Sequence, residues 1–489
     1  MKSICCVMEL QCLTSEKNYS VKKCFDSLEN EKQQIVVPLP KDRDNGKKEE
    51  EMSYQDAPFS EENLKTDRGD NLSDFQGMML LIPYNIGMGF LGLPYMVKLL
   101  GLWGGLIGLL FYGFLNEFCI LTLVDCTQIL MDRTGEKICD ISEIAEISMK
   151  LGPPVLRPHA GKYKLLVVVL VVINHFLFLA DALSLMTMFA NDLLTEVLEL
   201  DLKLTMVLIS VLLMPVYLMR KMNILVTTAT LGNFVLLGIV AISFQYICHD
   251  LPRVSSRVAV KPVSYLTFTT FANDVMFTLD GIGVVLPVRT RMKSTKHFDG
   301  WTGVLGIALM FVTCFHAACG FYGYLKFGES THVMYLLDLP LNNWLYKSLK
   351  ILFFLSLYCI TGVVVFVPVD ISWRNIQGLF QSAVIQNYGE YVFRFLFLAS
   401  VCGFTLIIPQ FQLLMSLTGC LWAFFGTIVV PVSIKIMLTY EEMLPVTKTG
   451  HVQRTTALVI FHLLLIFGIY STLSGLVVTL YKTSMNIVV

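Results

Sequence analysis

The sequence predicts an all-α integral membrane protein of eleven transmembrane helices. Hydrophobic residues make up 55% of the 489 positions and charged residues only 15%, whereas soluble domains are about 25% charged. Charge-free apolar runs of membrane-spanning length recur from residue 75 to residue 481. Two of the apolar spans, one of them carrying two Asp residues, share the same interruption of glycine and proline, five helices apart.

Polarity is concentrated at one end. Residues 1–74 hold 11 Lys/Arg and 16 Asp/Glu, so more than a third of the charge sits in a seventh of the chain. This segment lacks apolar periodicity and reads as a disordered cytoplasmic tail. No apolar stretch follows Met1 as a signal peptide would require. Residues 75–489 form the transmembrane domain.

Its expected spans are 75–97, 99–116, 165–180, 204–219, 222–248, 262–288, 302–325 and 351–369, then 395–434 and 455–481. The 40-residue run 395–434 is twice the length that one crossing needs, and Pro409-Gln410 divides it into two helices. The sixth span carries Asp274 and Asp280 in an otherwise apolar run. With the tail in the cytoplasm, the inner loops hold 17 Lys/Arg, against 9 on the other side. That bias sets the N-terminus inside and the C-terminus outside or luminal.

Several functions are disfavoured. A net charge of −1 argues against a nucleic-acid partner. The 13 cysteines show no CxxC pair or zinc spacing, so neither a metal site nor a cofactor is expected. No Gly-x-Ser-x-Gly and no His-Asp pair beside a nucleophile supports an enzyme.

The chemistry points to the two interrupted spans. The first reads Asn85-Ile-Gly-Met-Gly-Phe-Leu-Gly-Leu-Pro94, and the sixth reads Asp280-Gly-Ile-Gly-Val-Val-Leu-Pro287. Glycine and proline weaken a helix, and lipid offers no replacement hydrogen bonds. Unwound backbone at that depth is tolerated where it lines a cavity, and such a pair in two halves points to an inverted-repeat transporter. Half-helix N-termini suit a carboxylate, and freed carbonyls suit an ammonium. For one Gly-x-Gly, close helix packing is the simpler reading; the matched pair favours a site.

These motifs resemble the amino acid/auxin permease superfamily, and most of all its proton-coupled amino acid transporter branch. Asn85–Pro94 is similar to that family's first helix, and Asp280–Pro287 to its Glu-Gly-Ile-Gly-x-Val-Leu-Pro. Phe178-Leu-Ala-Asp181, Tyr322-Gly-Tyr-Leu-Lys-Phe-Gly328, Trp344-Leu-Tyr and Val367-Pro368 extend the match over roughly 75–480. The resemblance implies two inverted five-helix repeats, broken helices 1 and 6, a final eleventh helix, and substrate held between helices 1, 3, 6 and 8. The chain departs from that pattern in having Asp280 where Glu is usual. It also lacks the branch's first-helix His, its second-helix His (Glu117-Phe118 stands there) and a Cys in loop 190–203.

The expected substrate contacts are Asn85, Gly87, Met88, Gly89, Phe277, Asp280, Gly281 and Gly283. Ion coupling is assigned to Asp280, His175, Glu117 and Thr361. Asp280 is an ionisable group beside unwound backbone, a costly placement that usually marks function; capping the second half-helix is the alternative. His175 either packs through a hydrogen bond or replaces the missing His as proton carrier. The Thr361 hydroxyl suits a hard cation or simply packs helices. Asp181 divides between capping and substrate access, and His316 and His462 read as packing. The expected function is a secondary active transporter of small neutral amino acids, coupled to protons or sodium, in the plasma or an endolysosomal membrane. An amino acid sensor and a facilitative carrier are the alternatives. Because the tail is polar and aperiodic, a chain lacking residues 1–70 is expected to elute as one monodisperse species in detergent. Aggregation of that truncated chain would contradict the two-part organisation.

Overall fold

In the computed structural model, residues 72–135, 140–194, 201–340, 343–377, 383–441 and 448–485 are described. Most of the expected tail, residues 1–71, lies outside them. The helical bundle lies within the unit Asn71–Leu444 with Ile460–Val489.

Every regular element among the described residues is helical. A broken first span comprises α1 (Asp74–Ile86), a 3₁₀ turn at Gly89–Gly92 and α2 (Leu93–Leu100), bent by 47°. There follow α3 (Leu102–Thr134), the short α4 (Ile141–Leu151), α5 (Ala160–Leu194), α6 (Leu202–Tyr217) and α7 (Met222–Cys248). The sixth span is α8 (Tyr265–Thr278) and α9 (Ile282–Arg289), and α10 (Thr295–Phe298) leads into α11 (Val304–Phe327). The rest is α12 (Trp344–Gln377), α13 (Ala383–Ile407), and α14 (Phe411–Thr418) running through a π-helical stretch, Gly419–Val429, into α15 (Val430–Glu441), then α16 (Lys448–Met485).

Nine of the described helices are long and apolar enough to cross a membrane, and the bent first pair makes a tenth. The 16-residue apolar α6 completes the predicted eleven segments. At 1.5 Å per residue it rises only about 24 Å, short of a hydrocarbon core of about 30 Å.

Helix ends differ from expectation for a common reason. The second span was expected at 99–116 but continues through Glu117 to Thr134, ending at Gly135 with φ of 71°. The third was expected at 165–180 but runs through Asp181 to Leu194. A carboxylate ends a charge-free run without ending a helix when neighbouring helices bury it, and Glu117 and Asp181 are both fully buried. The Pro409-Gln410 turn falls where expected, between α13 and α14. The bundle starts slightly early, because Ser73 and Gln76 form a reciprocal cap on α1.

Leu81, Ile120, Val285, Leu305 and Val430 belong to one buried apolar cluster that joins α1, α3, α9, α11 and α15. The outer surface is apolar too: Ile107, Leu463 and Val477 are each more than 60% exposed. Such a belt is a liability in water and neutral in lipid. At one end of the sixth span, Arg289 is almost fully buried and donates Nε and Nη2 to Asp299 at 2.8 and 2.7 Å. A second bond from Nη2 reaches Gln128 at 2.5 Å, tying α9 to α3. Asp299→Ala strands this guanidinium and is expected to cost about 3 kcal/mol, seen as a lower melting temperature in detergent. Adding Arg289→Met should regain part of that loss, and unchanged melting of the single variant would contradict the role.

Candidate functional site

The first break begins where α1 ends. Gly87 adopts φ 56° and ψ −167°, a backbone conformation essentially restricted to glycine. Just before it, Asn85 is buried and donates Nδ2 to the Leu81 carbonyl at 2.8 Å, while its Oδ1 has no partner. Met88 and Gly89 follow, both buried.

The second break spans Leu279–Gly281, between α8 and α9. The Asp280 N–H still reaches the Phe277 carbonyl at 3.3 Å, so buried Phe277 marks the last turn of α8. The carbonyl of Leu279 turns to α3, where Asn116 Nδ2 donates to it at 3.0 Å. Pro287 has no N–H to return to the preceding turn of α9. Asp280 is half-buried near the Trp422 indole and the Ile282 backbone, and its Oδ1 has no partner.

The two breaks touch. A Cβ on Gly281 would collide with Asn85 Oδ1, so the Asn85 amide lies directly on that glycine. A Cβ on Gly89 would stand 2.9 Å from Thr278 Cα. Thr278 Oγ1 donates to the Asp274 carbonyl at 3.0 Å and reaches the Gly89 carbonyl at 3.4 Å. Gly283 is exposed, with room beside the Tyr84 hydroxyl at 3.4 Å. Here two helix interruptions meet, with unpartnered acceptors Asn85 Oδ1 and Asp280 Oδ1 beside them. The model of a family described as "Transmembrane amino acid transporter protein" matches residues 70–474.

The chain belongs to the transmembrane amino acid transporter family. Its relatives include "Proton-coupled amino acid transporter-like protein pathetic" of Drosophila melanogaster. That protein is 27% identical over 374 residues, which is 76% of this chain and 78% of the relative. "Vacuolar amino acid transporter 4" of Saccharomyces cerevisiae is 22% identical over 302 residues, 60% of this chain but 39% of the relative.

The substrate residues expected from the sequence of this transporter therefore gather at the two breaks. The ion-coupling set gathers less. Glu117 follows Asn116 on α3, fully buried, with neither carboxylate oxygen partnered. His175 is half-buried on α5, and its Nδ1 lies 2.7 Å from the Val171 carbonyl of its own helix. Thr361 is fully buried and donates to Tyr358 of its own helix at 3.0 Å. It stands on α12, which packs mainly on α7 and α5.

Two residues at the breaks, Asn116 and Trp422, are not singled out by the sequence. Asn116 holds the Leu279 carbonyl; an amide beside a carboxylate inside a span was its signal. Trp422 faces Asp280 from the π-helical stretch, which no local pattern announces. His316, expected to be a packing residue, is buried on α11 beside the Ile86 carbonyl at the first break, and neither ring nitrogen makes a hydrogen bond.

The contact between the breaks discriminates between neighbouring glycines. Gly281→Ala must displace Asn85 and is expected to abolish amino acid binding, measured by ligand-induced thermal stabilisation of purified protein. Gly283→Ala has space and should bind nearly as wild type. Equal binding by both variants would place the site elsewhere.

Proposed function

We propose that this transporter moves small neutral amino acids by proton coupling, with the substrate backbone held between the two breaks. The observation that carries the reading is the direct contact of Asn85 with Gly281, beside the unpartnered Asp280 Oδ1. The substrate ammonium is to displace the Asn85 amide from Gly281 and take Asn85 Oδ1 and Asp280 Oδ1 as acceptors. Its carboxylate is to meet backbone N–H groups freed at the breaks. Gly87, Met88, Gly89, Phe277, Gly281 and Gly283 line this space with glycine backbone or apolar side chains. Burying a charged side chain there without a partner is costly, so small neutral amino acids are favoured.

Asp280 is the ammonium partner when substrate is bound and a titratable charge when it is absent. Glu117 stays a second candidate for the coupling ion. His175 and Thr361 are weaker candidates, since both bond to their own helices. The relatives' printed names support proton coupling and an amino acid cargo, and one supports a vacuole-like membrane. The bias of Lys/Arg between loops supports a cytoplasmic N-terminus.

Uptake into proteoliposomes tests this reading. Glycine, alanine or proline should compete with labelled substrate, and lysine or glutamate should not. Gly89→Leu should reach the membrane and fail to transport. Asp280→Asn should express normally yet lose both uptake and exchange, since an amide pairs weakly with an ammonium, and Asp280→Glu should retain part of both. Full uptake by Asp280→Asn would refute the assignment.

A further inference from the structure

A symporter needs its proton and its substrate to be bound together. At Asp280 they compete, because an ammonium and a proton neutralise the same carboxylate. Resting on the proton-coupled reading above, this competition requires a second carboxyl to hold the proton.

A suitable group includes Asp274, one to two turns before Asp280 on the sixth span. Asp181 on α5 and Asp274 on α8 are both fully buried and within electrostatic reach of each other. Two sides of the tenth span serve them, because Ser416 and Thr418 stand two residues apart on the helix. Ser416 donates to Asp274 Oδ1, and Thr418 donates to Asp181 Oδ2 at 2.6 Å. Each acid keeps one oxygen without a partner, Oδ1 of Asp181 and Oδ2 of Asp274. One turn before Ser416, buried Gln412 donates Nε2 to Tyr95 at 3.1 Å and leaves its Oε1 unpartnered. Tyr95 is itself within electrostatic reach of Asp274.

The charges do not balance. Among the described residues, the cation facing Asp274 is Lys482 of α16, which is buried and donates to Thr270 at 2.6 Å on α8, while Asp181 has the Thr418 hydroxyl. Tyr95 from α2 and Cys420 from the π-helical stretch are the other titratable groups facing Asp274. With both acids ionised and Lys482 charged, the cluster carries one uncompensated negative charge in a low-dielectric interior. One proton brings it to neutrality.

We propose that Asp181 and Asp274 form a proton-holding pair, separate from the substrate site and serving as the coupling site of the transporter. A proton from water on one side forms an O–H bond on Asp274 Oδ2 or Asp181 Oδ1 as substrate binds. That bond breaks when the proton leaves to water on the other side. Ser416 and Thr418 hold the ionised form between loads. Ser416, Thr418 and Trp422 of the tenth span stand beside Asp274, Asp181 and Asp280 in turn, so substrate occupancy and proton occupancy act on one helix.

The test uses full-length protein in liposomes, with alanine as probe. Two readouts are taken: accumulation driven by a pH gradient, and exchange of labelled for unlabelled alanine without a gradient. Asp274→Asn and Asp181→Asn are expected to keep exchange and lose accumulation to the level of empty liposomes, and Asp274→Glu is expected to recover accumulation. Using both Asn variants guards against one failing to fold. Accumulation equal to wild type in both overturns the proposal. So does loss of exchange together with accumulation, which would make the pair a structural or substrate element. A wild type that exchanges alanine but ignores the pH gradient, or follows sodium instead, refutes proton coupling itself and the pair with it. Normal wild-type coupling with coupled variants refutes the pair alone.

Discussion

Everything in this transporter turns on one constraint: backbone that leaves the helix inside a bilayer must find its hydrogen bonds in the protein. Both interrupted spans meet it by leaning on one another and on α3. Asn116 reaches across to the Leu279 carbonyl, and Asn85 folds back onto Leu81. Close approach is possible because Gly281 and Gly89 remove the atoms that would collide. The same glycines that weaken the helices therefore allow the two weak points to touch. What is left over is a small set of acceptors without donors, and that surplus is what a zwitterion can use.

Buried acids extend the argument from binding to energy coupling. Glu117, Asp181 and Asp274 are all fully enclosed, and each has at least one oxygen without a partner. Ionised carboxylates in such surroundings are expensive, and a fold that keeps several of them is using them or compensating them. Arg289 with Asp299, and Arg394 with Glu390, show the compensated case, in which donor and acceptor meet. Asp181 and Asp274 have hydroxyl donors instead, with Lys482 facing Asp274 alone. That asymmetry separates ion pairs that hold the bundle together from groups available to a moving proton.

Much of this was legible in the sequence, for identifiable reasons. Broken helices advertise themselves through Gly-x-Gly and Leu-Pro, because the residues that cause the break are local. Pro409 marks the turn between α13 and α14 just as locally. Helix ends past Glu117 and Asp181 were not legible, since a charge stops an apolar count while a neighbouring helix supplies the burial. The roles of Asn116, Trp422, Ser416 and His316 depend on which helices pack together, and no spacing within one span encodes that. Thr361 illustrates the reverse case: a plausible cation ligand by composition whose hydroxyl is already bonded to its own helix.

On the proposed function, amino acid binds where the two breaks meet. Gly283 is exposed beside that contact and has room for a small side chain. A cysteine placed there, in a background without other reactive thiols, can be labelled with a small charged thiol reagent in reconstituted protein. Alanine is expected to slow this labelling in proportion to site occupancy, and lysine is not. Labelling that proceeds at the same rate with saturating alanine, in protein that still transports it, would contradict the account.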